Sequence, residues 1–253
     1  MTWLSIITVV RDDPEGLAAT LASVAANDRD GVEVLVVDGS ADPSIAPGLA
    51  GDLGSVIWRQ PQGIYPAMND GLAAASGEYA YYLNAGDLLF DDCVLARLRQ
   101  VIAAEQPEWA FGRVEVIGQD GSRVITPAWD YARERAVHFS RGLFPPHQGT
   151  IARVDLLRSA GGFDPSYRIA ADYALFLRMS QACDPLVLDL VLARFTEGGA
   201  STQQWQRSFR EFHRARCEIL QPSGLPALRE RFHTAVHFAR VWAYREVILR
   251  ARR

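Results

Sequence analysis

The sequence predicts an α/β protein: a mixed, mostly parallel sheet flanked by helices, with a helical extension at its C-terminus. Three observations carry this. Through the first half of the chain, short β-branched and aromatic runs alternate with helix-patterned stretches, the grammar of a parallel sheet. Those runs end abruptly in polar residues, at Asp38-Gly39-Ser40 and at Asn84-Ala85-Gly86-Asp87. From Gln203 the strand signals stop and helical patterns take over, so the chain divides into a body over 1–202 and a basic helical extension over 203–253.

The elements follow in order. Leu4 to Val10 (LSIITVV) is a continuous β-branched run, the pattern of a strand buried on both faces. Arg11-Asp12-Asp13-Pro14 breaks it. Pro14 to Ala26 follows as a helix, with Asp13 as N-cap and Leu17, Leu21 and Val24 on its apolar face. Val32 to Val37 is a second buried strand and Ser55 to Arg59 a third. Gly63 lies in a turn before a helix over Ala67 to Ala75, which Ser76-Gly77 ends. Tyr79 to Leu83 is a short central strand. Val94 to Ala104 has helical apolar spacing. Trp109 to Ile117 and Arg123 to Thr126 are strands joined by the turn Gln119-Asp120-Gly121-Ser122, so the sheet becomes mixed in its second half. From Pro127 to Gly142 the periodicity weakens. Beyond it come a short strand over Ile151 to Arg153 and helices over Val154 to Ala160 and from Ile169 to about Gln181. A strand over Leu186 to Phe195 then ends at Glu197-Gly198-Gly199-Ala200-Ser201.

Composition removes several function classes. A formal charge of -4 argues against a general nucleic-acid binder. All 26 basic residues are arginine, which excludes a lysine Schiff base and a phosphate-loop lysine. The three cysteines, Cys93, Cys183 and Cys217, lack C-x-x-C spacing and point to neither a zinc site nor a disulfide framework. Trp3 to Val10 is too short and has no basic flank for a signal peptide, and no apolar run reaches the ~18 residues of a membrane helix. The expectation is a cytoplasmic protein. Between Trp205 and Arg253, eleven arginines face four glutamates. This tail reads either as a solvated charged surface or as a contact with an anionic membrane, because Trp242, Tyr244, Val247, Ile248 and Leu249 interleave with arginine.

Polar groups at the carboxyl ends of parallel strands are where open α/β sheets bind ligands. Asp38 stands at such an end, yet no G-x-G-x-x-G follows the first strand, so a dinucleotide fold is not indicated. The segments LSIITVVRDDPEGLAATLASV, VEVLVVDGSADPS, QPQGIYPAMNDGLAAASGEYAYYLNAGD, PHQGTIAR, GGFDPSYRIAADYALFLRM and FTEGGAS, in this order, resemble the family 2 glycosyltransferases of the GT-A fold, especially bacterial enzymes of surface polysaccharide synthesis. The resemblance runs from about Trp3 to Ser201.

The resemblance implies transfer of a sugar from a nucleoside diphosphate sugar to a hydroxyl of a glycan or lipid-linked saccharide, with inversion, by a protein peripheral to the inner face of the membrane. Thr8, Val10 and Arg11 would border the nucleoside and Asp38 would bond the base or ribose. Gln62, Gly63 and Asn69 would line the phosphate and sugar side, with Asn84 and Ala85 also on the donor. Asp87 would bind Mg2+ or Mn2+, and Asp172 would be the catalytic base. His147 and Gln148 would lie near the acceptor or the diphosphate, and Gly198, Gly199 and Ser201 would form a loop closing over the donor. One segment departs from the family pattern. Where many relatives carry two or three acidic residues, Asn84-Ala85-Gly86-Asp87 leaves one carboxylate, so cation binding would depend on the donor's own phosphates. Two rival readings remain at this level: a non-catalytic nucleotide-sugar-binding protein, and a nucleotidyltransferase, against which VVRDDPEG lacks a glycine-rich basic loop.

Overall fold

The computed structural model describes residues 2–198 and 204–243. Its first half is built from β1 (Leu4–Val10), β2 (Val32–Asp38), β3 (Ser55–Trp58) and β4 (Tyr79–Tyr82), all mutually parallel in the order β3-β2-β1-β4. The second half adds β5 (Leu88–Leu89), β6 (Trp109–Ile117), β7 (Arg123–Ile125), β8 (Thr150–Arg153) and β9 (Leu186–Thr196). They continue the sheet as β4-β8-β6-β9-β5, with β7 paired to β6. β8 runs antiparallel between β4 and β6, which makes the sheet mixed at its centre.

The alternation along β1 explains why five of its seven residues are apolar. Ile7 and Val9 face one layer with Met68 and Leu72, while Leu4, Ile6 and Val10 face the other with Leu17, Leu21 and Val24. A strand covered on both faces has no solvent side to carry polar residues. The covering helices are α1 (Pro14–Ala25), α2 (Ile45–Ala50), α3 (Ile64–Ala74) and α4 (Val94–Glu105), then α5 (Tyr131–Ser140), α6 (Val154–Ser159) and α7 (Ala171–Ala182). Asp13 caps α1, its carboxylate accepting the Gly16 N–H at 2.9 Å. α3 starts three residues earlier than its sequence pattern, directly after Gly63, whose φ of 121° suits glycine. Gly71 of α3 packs so closely on β1 that a Cβ there would stand 2.3 Å from Ile7 Cγ2.

Two further helices, α8 (Trp205–Leu220) and α9 (Leu225–Trp242), form the extension. Pro226 does not break α9; it sits in the first turn, where proline costs no hydrogen bond. α8 shares the core of the body: Ala215 is fully buried, and Phe212 packs on Tyr173 with ring centroids 4.6 Å apart. Arg216 is 4% exposed and reaches Glu230 (2.6 Å), Thr234 (2.9 Å), and the Phe139 carbonyl and Tyr173 hydroxyl (3.2 Å each). One face of α8 is therefore buried against the body, and the reading of its charges as a solvated face fails at Arg216. α9 leaves Leu225, Leu228 and Phe232 exposed, while Glu230 and Thr234 turn inward to Arg216. Tyr244 to Arg253, which carry four of the five apolar residues of the expected membrane contact, lie outside the described residues.

Candidate active site

The carboxyl ends of β1, β2 and β4 lie side by side because the strands are adjacent and in register: Val10 pairs with Asp38, and Ile7 with Tyr82. Beside them opens a cleft of about 510 Å³. Its walls include Val10, Arg11 and Gly39 from the strand ends, Gln62 and Gly63 from the following loop, and Pro66 and Asp70 from the start of α3. Four expected donor residues, Val10, Arg11, Gln62 and Gly63, meet here. Gly39, Arg59 and Asp70 belong to the same wall and were not singled out from sequence; Arg59 and Asp70 pair at 3.6 Å. Asp38 lies fully buried at the strand end. One of its oxygens accepts the Ser40 N–H at 2.8 Å and the other is buried without a partner.

Two donor expectations are corrected. Thr8 does not border the cleft: it is 0% exposed and its hydroxyl is buried without a partner, because β1 opens only at Val9 and Val10. Asn69 is spent on the scaffold. Its amide nitrogen donates to the Phe163 carbonyl at 2.7 Å and its oxygen accepts the Phe163 N–H at 2.9 Å.

The second group of residues assembles across β4 and β8. The pairing of Tyr81 with Ile151 places the turn His147–Gly149, ahead of β8, against the segment after β4. Asn84 Nδ2 lies 3.1 Å from His147 Nε2, and His147 Nδ1 lies 3.7 Å from Asp172 Oδ2 in the first turn of α7. With the Asn84 amide donating, Nε2 accepts and the Nδ1–H faces Asp172. The His147 and Asp172 side chains are 18% and 16% exposed, open enough to meet a substrate. Gln148 is fixed through its carbonyl, which accepts from the Tyr81 hydroxyl at 2.7 Å. Asp87 stands beside this group. Burial pushes its carboxyl up to about 6, against the opposing pull of His147 and a hydrogen bond from Gln148. So Asn84, Asp87, His147, Gln148 and Asp172, scattered over the sequence, share one place. Gly198 closes β9 near Gln119; Gly199 and Ser201 lie outside the described residues.

The donor set suits a hard cation. Asn84 Oδ1 is buried with no partner, and Asp87 adds a carboxylate, which makes an all-oxygen pair of the kind Mg2+ or Mn2+ takes. Asp91, Asp92 and Cys93 also cluster, but they are exposed and Asp91 is engaged by Arg97.

Thr20 holds the turn from Asn84 to Asp87 in shape. Its hydroxyl accepts the Gly86 N–H at 3.0 Å and lies 2.8 Å from the Asp87 carbonyl and 3.2 Å from that of Asn84. The one sequence signal was a hydroxyl inside the apolar spacing Leu17, Thr20, Leu21, Val24. Tyr65 of α3 is 8% exposed and donates its hydroxyl to the Ile169 carbonyl, just ahead of Asp172.

Known proteins resemble this chain in sequence and fold. The family model for glycosyl transferase family 2 matches residues 5–156. A glycosyltransferase of Mycobacterium tuberculosis described as uncharacterized is 29% identical over 208 residues, covering 79% of this chain and 78% of that protein. A PGL/p-HBAD biosynthesis glycosyltransferase of Mycobacterium bovis is 30% identical over 203 residues, covering 76% and 77%. Among solved structures, S. aureus TarS 1-349 in complex with UDP superimposes with a TM-score of 0.68 at 18% identity, over 96% of this chain and 72% of that one. The chain spans 44% of the longer TarS structure. A mannosyltransferase from Pyrobaculum calidifontis, in complex with GDP-Man and Mn2+, gives 0.64 at 18% identity, over 96% and 75%.

Proposed function

The chain belongs to glycosyl transferase family 2 and is a glycosyltransferase of the GT-A fold, and from that premise we propose that it moves one sugar from a nucleoside diphosphate sugar to a hydroxyl of a glycan or glycolipid, with inversion. The observation that carries the reading is the line of contacts from Asn84 through His147 to Asp172, alongside Asp87, next to the cleft at the ends of β1 and β2. The nucleoside would lie in the cleft against Val10, Arg11 and Gly39, beside the strand end that carries Asp38. Gln62 and Gly63 would face its phosphates or sugar. Asp87 and the amide oxygen of Asn84 would hold Mg2+ or Mn2+, whose chemistry is to neutralise charge on the departing diphosphate. Asp172 takes the proton from the acceptor hydroxyl as its oxygen bonds to the anomeric carbon, and the bond from that carbon to the diphosphate oxygen breaks. His147, with its Nδ1–H toward Asp172, keeps the carboxylate oriented for that transfer.

Calorimetry with UDP and with GDP, each with and without Mn2+, tests the donor half of this reading. Binding of one of them strengthened by Mn2+ is expected, with the Mn2+ effect lost in Asp87→Ala. No binding of either, or a Mn2+ effect untouched by Asp87→Ala, contradicts it.

Membrane contact belongs to the same proposal and is supported by the outward apolar residues of α9. No helix among the described residues is long and apolar enough to cross a membrane. The full chain should sediment with vesicles containing anionic lipid and lose that association in Phe232→Glu; a soluble fraction unchanged by vesicles goes against it.

A further inference from the structure

Glu211 is out of place for a charged residue of a basic extension. It is 8% exposed, and its carboxylate lies over the start of α7. One oxygen accepts the N–H groups of Ile169 (2.8 Å) and Ala170 (3.0 Å); the other accepts from Arg168 N (3.2 Å) and Arg207 Nε (3.0 Å). Burial alone would raise this carboxyl, but the Ile169, Ala170 and Arg168 amides and Arg207 outweigh it and hold it below its ordinary range.

α7 has no side-chain cap of its own, since its N-cap residue is Ala170. The first N–H groups of a helix need acceptors, and the helix dipole favours an anion there. Glu211, on α8 and 42 residues away from Ile169, meets the N-cap amide of Ala170 and holds the Arg168 and Ile169 amides just ahead of the helix. Ile169 is gripped from both sides: its N–H goes to Glu211 and its carbonyl to the Tyr65 hydroxyl of α3. Asp172 follows directly, in the turn that these bonds fix. A general base works only when its oxygen is placed on the proton it removes, and an error of about 1 Å can cost on the order of a hundredfold in rate.

We propose that Glu211 is a positioning residue for sugar transfer: from α8 it anchors the segment from Arg168 to Ala170 that leads into α7, and so sets the Asp172 carboxylate. The inference rests on the reading of Asp172 as the base. It makes α8, beyond the 5–156 match to the family, part of the catalytic unit.

The test uses the full chain as wild type, Glu211→Gln, Asp172→Asn and the double variant. Glu211→Gln keeps the size but turns an N–H donor toward amides that need an acceptor. Amide exchange at Ile169 and Ala170 should then rise roughly tenfold, with the β1 amides unchanged. Turnover of UDP-GlcNAc or GDP-mannose with Mn2+, whichever wild type uses, should fall about tenfold in kcat at an unchanged donor KM. In the Asp172→Asn background the same change should cost nothing further. Wild-type exchange and kcat in Glu211→Gln would overturn the proposal. So would exchange rising equally through the sheet, or the same fold-loss of kcat in both backgrounds. Should Glu211→Gln not fold, Glu211→Asp, which keeps the charge but shortens the reach, carries the same readouts. The reading of Asp172 fails separately, by Asp172→Asn turning over like wild type whatever stands at 211.

Discussion

At the scale of single residues, the site is a set of polar groups kept where polar groups are costly. Asp87 shows this most directly. Its carboxyl is raised to about 6 by burial, against an ordinary value of 3.8. The fold therefore prefers the protonated form. That preference contributes in full below about pH 4 and is lost as pH rises through about 6, a loss of roughly 3 kcal/mol. Asparagine is neutral throughout, so without divalent cations Asp87→Asn should melt above wild type at pH 8 and with it at pH 4. Mn2+ plus the bound nucleotide should reverse the order at pH 8. Identical pH profiles of Tm for the two proteins would rule this account of Asp87 out.

At the scale of elements, the helices act as clamps on loops that they do not contain. α1 presents Thr20 to the turn from Asn84 to Asp87, Ser23 Oγ to the Leu89 N–H at 3.2 Å, and Asn27 to the Asp91 carbonyl at 2.9 Å and the Leu95 N–H at 3.1 Å. One helix face thereby holds the whole stretch after β4. Thr20→Val keeps the shape and strips the hydroxyl, which leaves the Gly86 N–H and the Asp87 carbonyl without that partner. The expected cost is about 1–2 kcal/mol, read as a fall of roughly 2–6 °C in Tm, with Thr20→Ser recovering most of it. A Thr20→Val protein as stable as wild type would mean the staple carries no weight.

The same elements show what the sequence could disclose. β1 and β2 were legible because strands covered on both faces are made mostly of β-branched and other apolar residues. α5 was not: it buries mainly Tyr131 and Phe139, too sparse a stripe to read against its arginines. β5 is two residues long, and only its pairing to Ala193 and Arg194 defines it. At the site, Asp87, His147, Gln148 and Asp172 came from a resemblance of motifs, and their meeting depends on β8 inserting beside β4. Thr8 and Asn69 misled because a motif gives a position in the chain and not the direction in which a side chain is spent. Glu211 left no trace, because capping a helix from another helix has no local pattern.

At the scale of the whole molecule, the fold separates binding from chemistry. The parallel half, from β1 to α3, forms the cleft. The half after β4 brings His147 and Asp172, and α8 holds the entry to the helix that carries Asp172. Cation-independent donor affinity should therefore belong to the first half, while the second half adds the Mn2+-dependent part through Asp87 and turnover through Asp172. The most direct measurement is donor-nucleotide affinity and sugar turnover in wild type and Asp172→Asn, side by side, with Mn2+. The account predicts affinity within about twofold of wild type and kcat reduced on the order of a hundredfold or more, as removal of a general base requires. Near-wild-type kcat in a folded Asp172→Asn protein would contradict it.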